Sequence, residues 1–375
     1  MEAYVRQADV ARVSRARPTH LTGRAGEAGG RVCSRDLARW FAERLWRARS
    51  HLAWTPGGLS GYRWVGGWGW LGLSGVIRCS RGCGASYGEA HMTLLHAHDY
   101  GGDGPQLVLL HGFGRSLADW SASAAQLTDG HRVLGVDLPG HGRSPDISPW
   151  DLPTVVRCIA ETLDAHGVPE AVVVGHSLGG LVAVEYARAY PDRVRAAVNL
   201  DGFWWRREYP GAEQVTEGLL ASVGAVAPAG YIEQQITNSA RFGVPADRAE
   251  AAARAAARPL PDGTWQTLPE RAAALEIVDE LHRLGAPGVT AWLDGVDRPL
   301  LLVQAGRRLP PAPGMEWFDA FSARFAREVS DELAVVSRTR PTIGVERIDA
   351  THPMILETPE AVARLVAGFV RALPD

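Results

Sequence analysis

The sequence predicts an α/β domain over residues 92–375, with a mainly parallel sheet flanked by helices and a helical insertion. Three observations carry that prediction. Six short runs rich in Val and Leu end in Gly, Asp or His and alternate with helix-like stretches, the pattern of a sheet covered on both faces. One run passes through a glycine-flanked serine directly into a helical pattern. Residues 203–297, which separate the fourth run from the fifth, are far longer than a simple strand-to-helix connection requires and are themselves helix-like.

Taken in chain order, "LVLLHG" is the first buried run, and its His111 belongs to the turn that follows. "RVLGVDLPG" is the second; Asp137 within it and His141 just beyond it are read as structural. The third, "AVVVGHSLGGLVAVEYA", is the most informative stretch of the chain. Gly175 and Gly179 remove side chains where strand turns tightly into helix, so that the Ser177 hydroxyl can project from the sheet edge. Leu181, Val184 and Tyr186 then give the helix its apolar positions, and its N-terminus favours negative charge beside the serine. The fourth run, "AAVNLDG", ends in Asp201. The insertion opens with "GFWWRREY", in which Phe203, Trp204 and Trp205 either line a substrate pocket or pack a hinge. It continues as four helical patterns, ending in "LPERAAALEIVDELHRLG". "PLLLVQAG" and "GVERIDATH" complete the sheet, and an amphipathic terminal helix follows His352.

In open parallel sheets, ligands bind beyond the carboxyl ends of the strands. Here those ends supply His111, Asp137, Ser177, Asp201 and, just past the last strand, His352. A serine hydroxyl is a weak nucleophile at neutral pH and needs an imidazole to take its proton, with an acid to orient that imidazole.

The ordered motifs "HGFG", "DLPGHGRS" and "GHSLGG", followed by a late histidine, resemble the α/β-hydrolase fold family over about three quarters of the chain. The resemblance implies a serine hydrolase with Ser177 as nucleophile and His352 as general base. It also implies an oxyanion hole formed by the backbone N–H groups of Phe113 and Leu178. The long insertion, entering at the carboxyl edge, is expected to lie over the nucleophile as a lid. Ester, thioester, lactone and amide substrates all fit an acyl-enzyme on Ser177. A serine at the elbow argues against the epoxide hydrolases and haloalkane dehalogenases of similar fold, whose nucleophile is a carboxylate. The acid is the irregular element. The family pattern places it near Leu309, after "PLLLVQAG", where the chain reads "RRLPPAPG". Glu316 and Asp319 fall in a helix-like stretch. Asp201 is preferred, because the end of the preceding strand opens on the same edge and the order serine, acid, histidine is kept. An ordinary turn role for Asp201 stays open, and Asp294 and Asp297 are alternatives that enter the sheet from its other end. If the triad is degraded at the acid, the chain is instead a ligand-binding protein on the same fold.

The net charge of −3 conceals an asymmetry, with 14 arginines against six acids in residues 1–91 and 25 against 36 thereafter. Every basic residue is arginine, which reflects a GC-rich coding sequence rather than a binding task, and no nucleic-acid partner is expected. A small-molecule substrate, no cofactor and no metal are expected. Four unevenly spaced cysteines are too few for a disulfide framework, which points to a reducing compartment and a cytoplasmic location. No apolar run reaches the ~18 residues of a membrane span. Residues 1–91 read as an irregular Arg/Gly/Trp-rich extension with one amphipathic stretch at 34–49 and an isolated "CSRGC"; Met92 is the expected native start of the domain.

Overall fold

A computed structural model describes residues 92–309 and 314–374. The expectations for residues 1–91 lie outside the described residues.

The first five strands are β1 (Ala97–Gly101), β2 (Gln106–Leu110), β3 (Arg132–Val136), β4 (Ala171–His176) and β5 (Val194–Leu200). After them come three very short strands of the insertion, β6 (Val226–Ala227), β7 (Ala257–Pro259) and β8 (Trp265–Thr267). The last two are β9 (Leu300–Ala305) and β10 (Ile343–Ile348). The main sheet has the order β1-β3-β2-β4-β5-β9-β10. β1 is antiparallel to β3, and every other pairing in this sheet is parallel. All six expected runs form strands; β1 was not among them. Its sequence, "AHDYG", is polar and half-exposed at the sheet edge, so it lacks the apolar signal of a buried strand.

The side-chain period of two divides each central strand between two cores. On β2, Val108 and Leu110 join one core while Leu107 and Leu109 join the other. The first core packs under α2 (Leu152–Ala165) and α3 (Leu178–Ala189), where Ile159, Leu163, Leu181 and Val182 are buried. α2 begins on Asp151, whose carboxylate accepts the Thr154 N–H at 2.8 Å, satisfying one orphan amide of the first turn. The opposite core is covered by α1 (Ser121–Leu127) and by the terminal helix, in which Val362, Val366 and Val370 lie four residues apart on one face.

The insertion between β5 and β9 carries α4 (Ala212–Ala221), α5 (Tyr231–Ala240), α6 (Ala246–Ala255), α7 (Arg271–Gly285) and α8 (Gly288–Trp292). Its four expected helical stretches are α4 to α7. The expectation of helices alone is corrected by the antiparallel sheet β6-β8-β7, whose strands of two or three residues are too short to show a periodic pattern. α9 (Glu316–Thr339) follows β9, and α10 (Met354–Glu357) and α11 (Pro359–Arg371) close the chain after β10. No helix among the described residues is long and apolar enough to cross a membrane.

Candidate active site

β4 runs through Gly175 and His176 into Ser177, and α3 begins at the next residue. A Cβ on Gly175 would lie 1.9 Å from the Gly179 carbonyl oxygen, and one on Gly179 would lie 2.3 Å from the Leu110 carbonyl oxygen. Strand and helix therefore cross in contact only because neither position has a side chain. Ser177 itself has φ 54° and ψ −120°. Among the described residues one other non-glycine residue has positive φ, and it is Asp201, also at 54°. Such conformations cost on the order of 1–3 kcal/mol each and persist where surrounding bonds fix them. The Ser177 N–H donates to the Leu200 carbonyl at 2.9 Å, and its own carbonyl accepts from Gly180 and Leu181. The Asp201 N–H donates to the Val303 carbonyl at 2.8 Å.

The structure brings Ser177, His352 and Asp201 into one hydrogen-bonded line. His352 Nε2 is 3.1 Å from Ser177 Oγ, and its Nδ1 is 2.7 Å from Asp201 Oδ2. The other carboxylate oxygen, Oδ1, accepts the Ala305 N–H at 2.9 Å. A carboxylate only accepts, so Nδ1–H must donate to it, leaving Nε2 as acceptor for the serine hydroxyl. Burial acts to raise the Asp201 pKa, but the hydrogen bond and charge of His352, helped by the Ala305 amide, outweigh it and hold the group below its ordinary value. Asp201 thus reaches across β9, the neighbour of β5, to the loop after β10. No acid occupies the loop after β9, whose backbone is instead tied to the end of β10 by Gly306 N–H to Ile348 and Arg307 N–H to Ala350. Asp294 pairs with Arg340, and both it and Asp297 precede β9, at the opposite end of that strand from Ala305.

The His352 loop is fixed from two sides. Glu357 Oε2 accepts from the Thr351 N–H at 2.8 Å and from its hydroxyl at 2.6 Å. His176, beside the serine, donates its Nε2–H to the His352 carbonyl at 2.7 Å. Burial, reinforced by the adjacent His352, lowers the His176 pKa to about 3. Burial, with His111 nearby, does the same to His141, whose Nδ1–H donates to the Pro139 carbonyl at 2.9 Å. His111 accepts the Leu138 N–H, and Asp137 accepts from Leu117 and Arg143, so these residues tie the "HGFG" turn to the "DLPGHGRS" loop.

Two histidines that stay neutral in the fold make it acid-sensitive. Above pH ~6.5 neither the folded nor the unfolded chain protonates them, and their contribution is complete. Below it the unfolded chain takes up protons that the folded chain refuses, so stability falls by about 1.4 kcal/mol per pH unit per histidine until the folded value is reached. From pH 7 to pH 5 the pair is expected to cost roughly 4 kcal/mol in urea-unfolding free energy. A flat profile over that range would refute this account.

Leu178 is the first residue of α3, where amides lack intrahelical partners. The "HGFG" turn abuts the serine: a Cβ on Gly112 would lie 3.2 Å from Ser177 Cβ. Neither the Phe113 nor the Leu178 N–H donates to a protein acceptor among the described residues. Phe203, Trp204 and Trp205 lie in a packed aromatic group where the insertion begins, and Phe203 and Trp204 also line a small cavity. Phe203 is buried in the core with Leu181 and Trp292, Trp204 stacks on Trp205 at 4.0 Å, and Trp205 meets Phe321 edge-on at 5.0 Å. Arg206 and Arg207 pair at the surface with Glu328 and Asp279. Among the described residues no cluster of His, Cys, Asp or Glu could hold a metal ion.

Residues 105–225 match a family model described as the α/β hydrolase fold. The chain is 42% identical over 120 residues to a pimeloyl-[acyl-carrier protein] methyl ester esterase of Methylococcus capsulatus, covering 31% of this chain and 45% of that protein. It is 44% identical over 108 residues to lipase LipV of Mycobacterium tuberculosis, covering 28% of this chain and 41% of the other. The matches therefore span less than half the length of these curated relatives. The solved structure of E-2-(acetamidomethylene)succinate hydrolase superposes with a TM-score of 0.58 at 24% identity, over 74% of this chain and 95% of that one. Residues 105–225 thus match the α/β hydrolase family model, and the chain as described has the α/β-hydrolase fold.

Proposed function

We propose that the chain is a serine hydrolase that cleaves a small ester-like substrate through an acyl-enzyme on Ser177. The observation that carries this reading is His352, hydrogen-bonded to Ser177 on one side and to Asp201 on the other. In the proposed reaction Ser177 Oγ attacks the carbonyl carbon while its proton passes to His352 Nε2. The carbonyl oxygen becomes an oxyanion, stabilised by the Phe113 and Leu178 N–H groups; one such donor contributes about 10²- to 10³-fold in rate. Collapse breaks the bond to the leaving alcohol, thiol or amine, which takes the proton from His352. Water, deprotonated by His352, then attacks the acyl carbon; the bond to Ser177 Oγ breaks, Oγ takes the proton back from His352, and the acid is released. Asp201 stabilises the imidazolium at both stages. The named activities of the relatives, an esterase and a lipase, favour esters among the possible substrates. In the same proposal residues 92–202 and 298–375 form the catalytic core, residues 203–297 act as a lid that excludes water, and the protein works in the cytoplasm, where Cys158 stays reduced.

A fluorophosphonate probe tests the reading. One adduct per chain is expected, on the peptide containing Ser177, with parallel loss of p-nitrophenyl ester turnover. An unlabelled protein that turns over none of these short esters would overturn it.

A further inference from the structure

An open cleft of about 440 Å³ lies one residue along the chain from His352. Its walls come from three places: Arg307 and Arg308 after β9, Thr351 with Glu357 and Thr358 around α10, and the turn Arg241–Gly243 between α5 and α6. Three arginines and one carboxylate, that of Glu357, line it. That carboxylate is already committed, since Glu357 holds Thr351 and pairs with Arg307. Arg307 is pinned further by the Asp349 carboxylate at 3.0 Å and the Asp349 carbonyl at 3.2 Å. Arg308 is exposed and makes no hydrogen bond or ion pair with another described residue. A planar guanidinium presents paired N–H donors that match the oxygens of a carboxylate or phosphate.

We propose that this cleft is an anion-binding site that seats a carboxylate or phosphate group beside the His352 loop. The arrangement gives the "RRL" segment a task of its own. An acid at position 309 would stand next to two arginines and be drawn into ion pairs with them, whereas Asp201 supplies the charge to His352 from the neighbouring strand. The loop after β9 is then free to carry cations. The anion is either the remote end of the substrate, an extension that rests on the function proposed above, or a separate small molecule.

Two measurements on the full chain decide it, each comparing wild type with a double variant, Arg241→Gln with Arg308→Gln, both at exposed positions. Titration calorimetry with inorganic phosphate is expected to show binding to wild type, weakened about tenfold or more in the variant, the effect of losing charge-assisted hydrogen bonds. No binding, or equal binding to both proteins, overturns the proposal. The second measurement compares p-nitrophenyl butyrate with p-nitrophenyl hemisuccinate, which differ by a terminal carboxylate. A preference for the hemisuccinate that disappears in the variant, with butyrate turnover unchanged, identifies the anion as the substrate's own. Phosphate binding without that preference identifies a separate anion. If neither protein hydrolyses either ester, the hydrolase reading fails while the calorimetry still decides the cleft.

Discussion

Ser177→Ala is expected to lower ester turnover by about 10⁶-fold, the scale seen when a serine nucleophile is removed from a serine, histidine and acid unit. The fold should be unaffected. Alanine keeps the Cβ that packs beside Gly112, and the bonds that fix residue 177, from its N–H to Leu200 and from Gly180 and Leu181 to its carbonyl, are all backbone bonds. Only Oγ is lost, so the melting temperature should match wild type. The stronger form of the prediction concerns the pair. Residues that act in one step are not additive, so adding His352→Ala to the serine variant should cost little more. If the double variant loses as much again as each single one, His352 acts independently of Ser177, for example by activating water directly, and the acyl-enzyme route is wrong. Steady-state rates for the two single variants and the double variant decide between these.

What was legible in the chain, and what was not, follows from how each feature is encoded. The parallel strands announce themselves because both faces are buried, giving continuous runs such as "AVVV" on β4 that no half-exposed element imitates. The elbow is legible because its glycines are forced by atomic contact; no other residue fits at 175 or 179. β1 and the three small strands of the insertion carry no such signal, since edge exposure and a length of two or three residues leave no pattern. His176 shows a different limit. Its hydrogen bond to the His352 carbonyl joins residues 176 positions apart, and only the fold can bring them together. The arginine cleft is likewise assembled from three separated segments, and the pair of arginines at 307 and 308 reads in sequence merely as a solvated loop. The aromatic run at 203–205 reads equally as pocket lining or as packing, and its rings lie in a packed group with Trp292 and Phe321 while Phe203 and Trp204 also line a small cavity.

Asp201 is where sequence and geometry depend most on each other, and Asp201→Asn is expected to reduce turnover by about 10⁴-fold with the fold retained. The reason is specific to its surroundings. One carboxylate oxygen accepts the Ala305 N–H and the other accepts His352 Nδ1–H, so both partners are donors. An asparagine has one acceptor oxygen and one donor NH₂ in those two places. Because the Ala305 amide cannot change from donor to acceptor, the asparagine oxygen must turn toward it, and the NH₂ must face His352. Nδ1 then becomes an acceptor and the imidazole proton moves to Nε2, facing Ser177, where a base is needed. The variant would hold its histidine in place in the wrong tautomer. Raising the pH leaves the Ala305 amide a donor and so cannot restore the tautomer, and the loss should persist across the alkaline range. Asp201→Glu offers a contrast, keeping the charge while displacing it by one methylene, and should recover part of the activity. Near-normal turnover in Asp201→Asn, together with loss in a variant of Asp294 or Asp297, would move the acid elsewhere and require a different path of charge to His352.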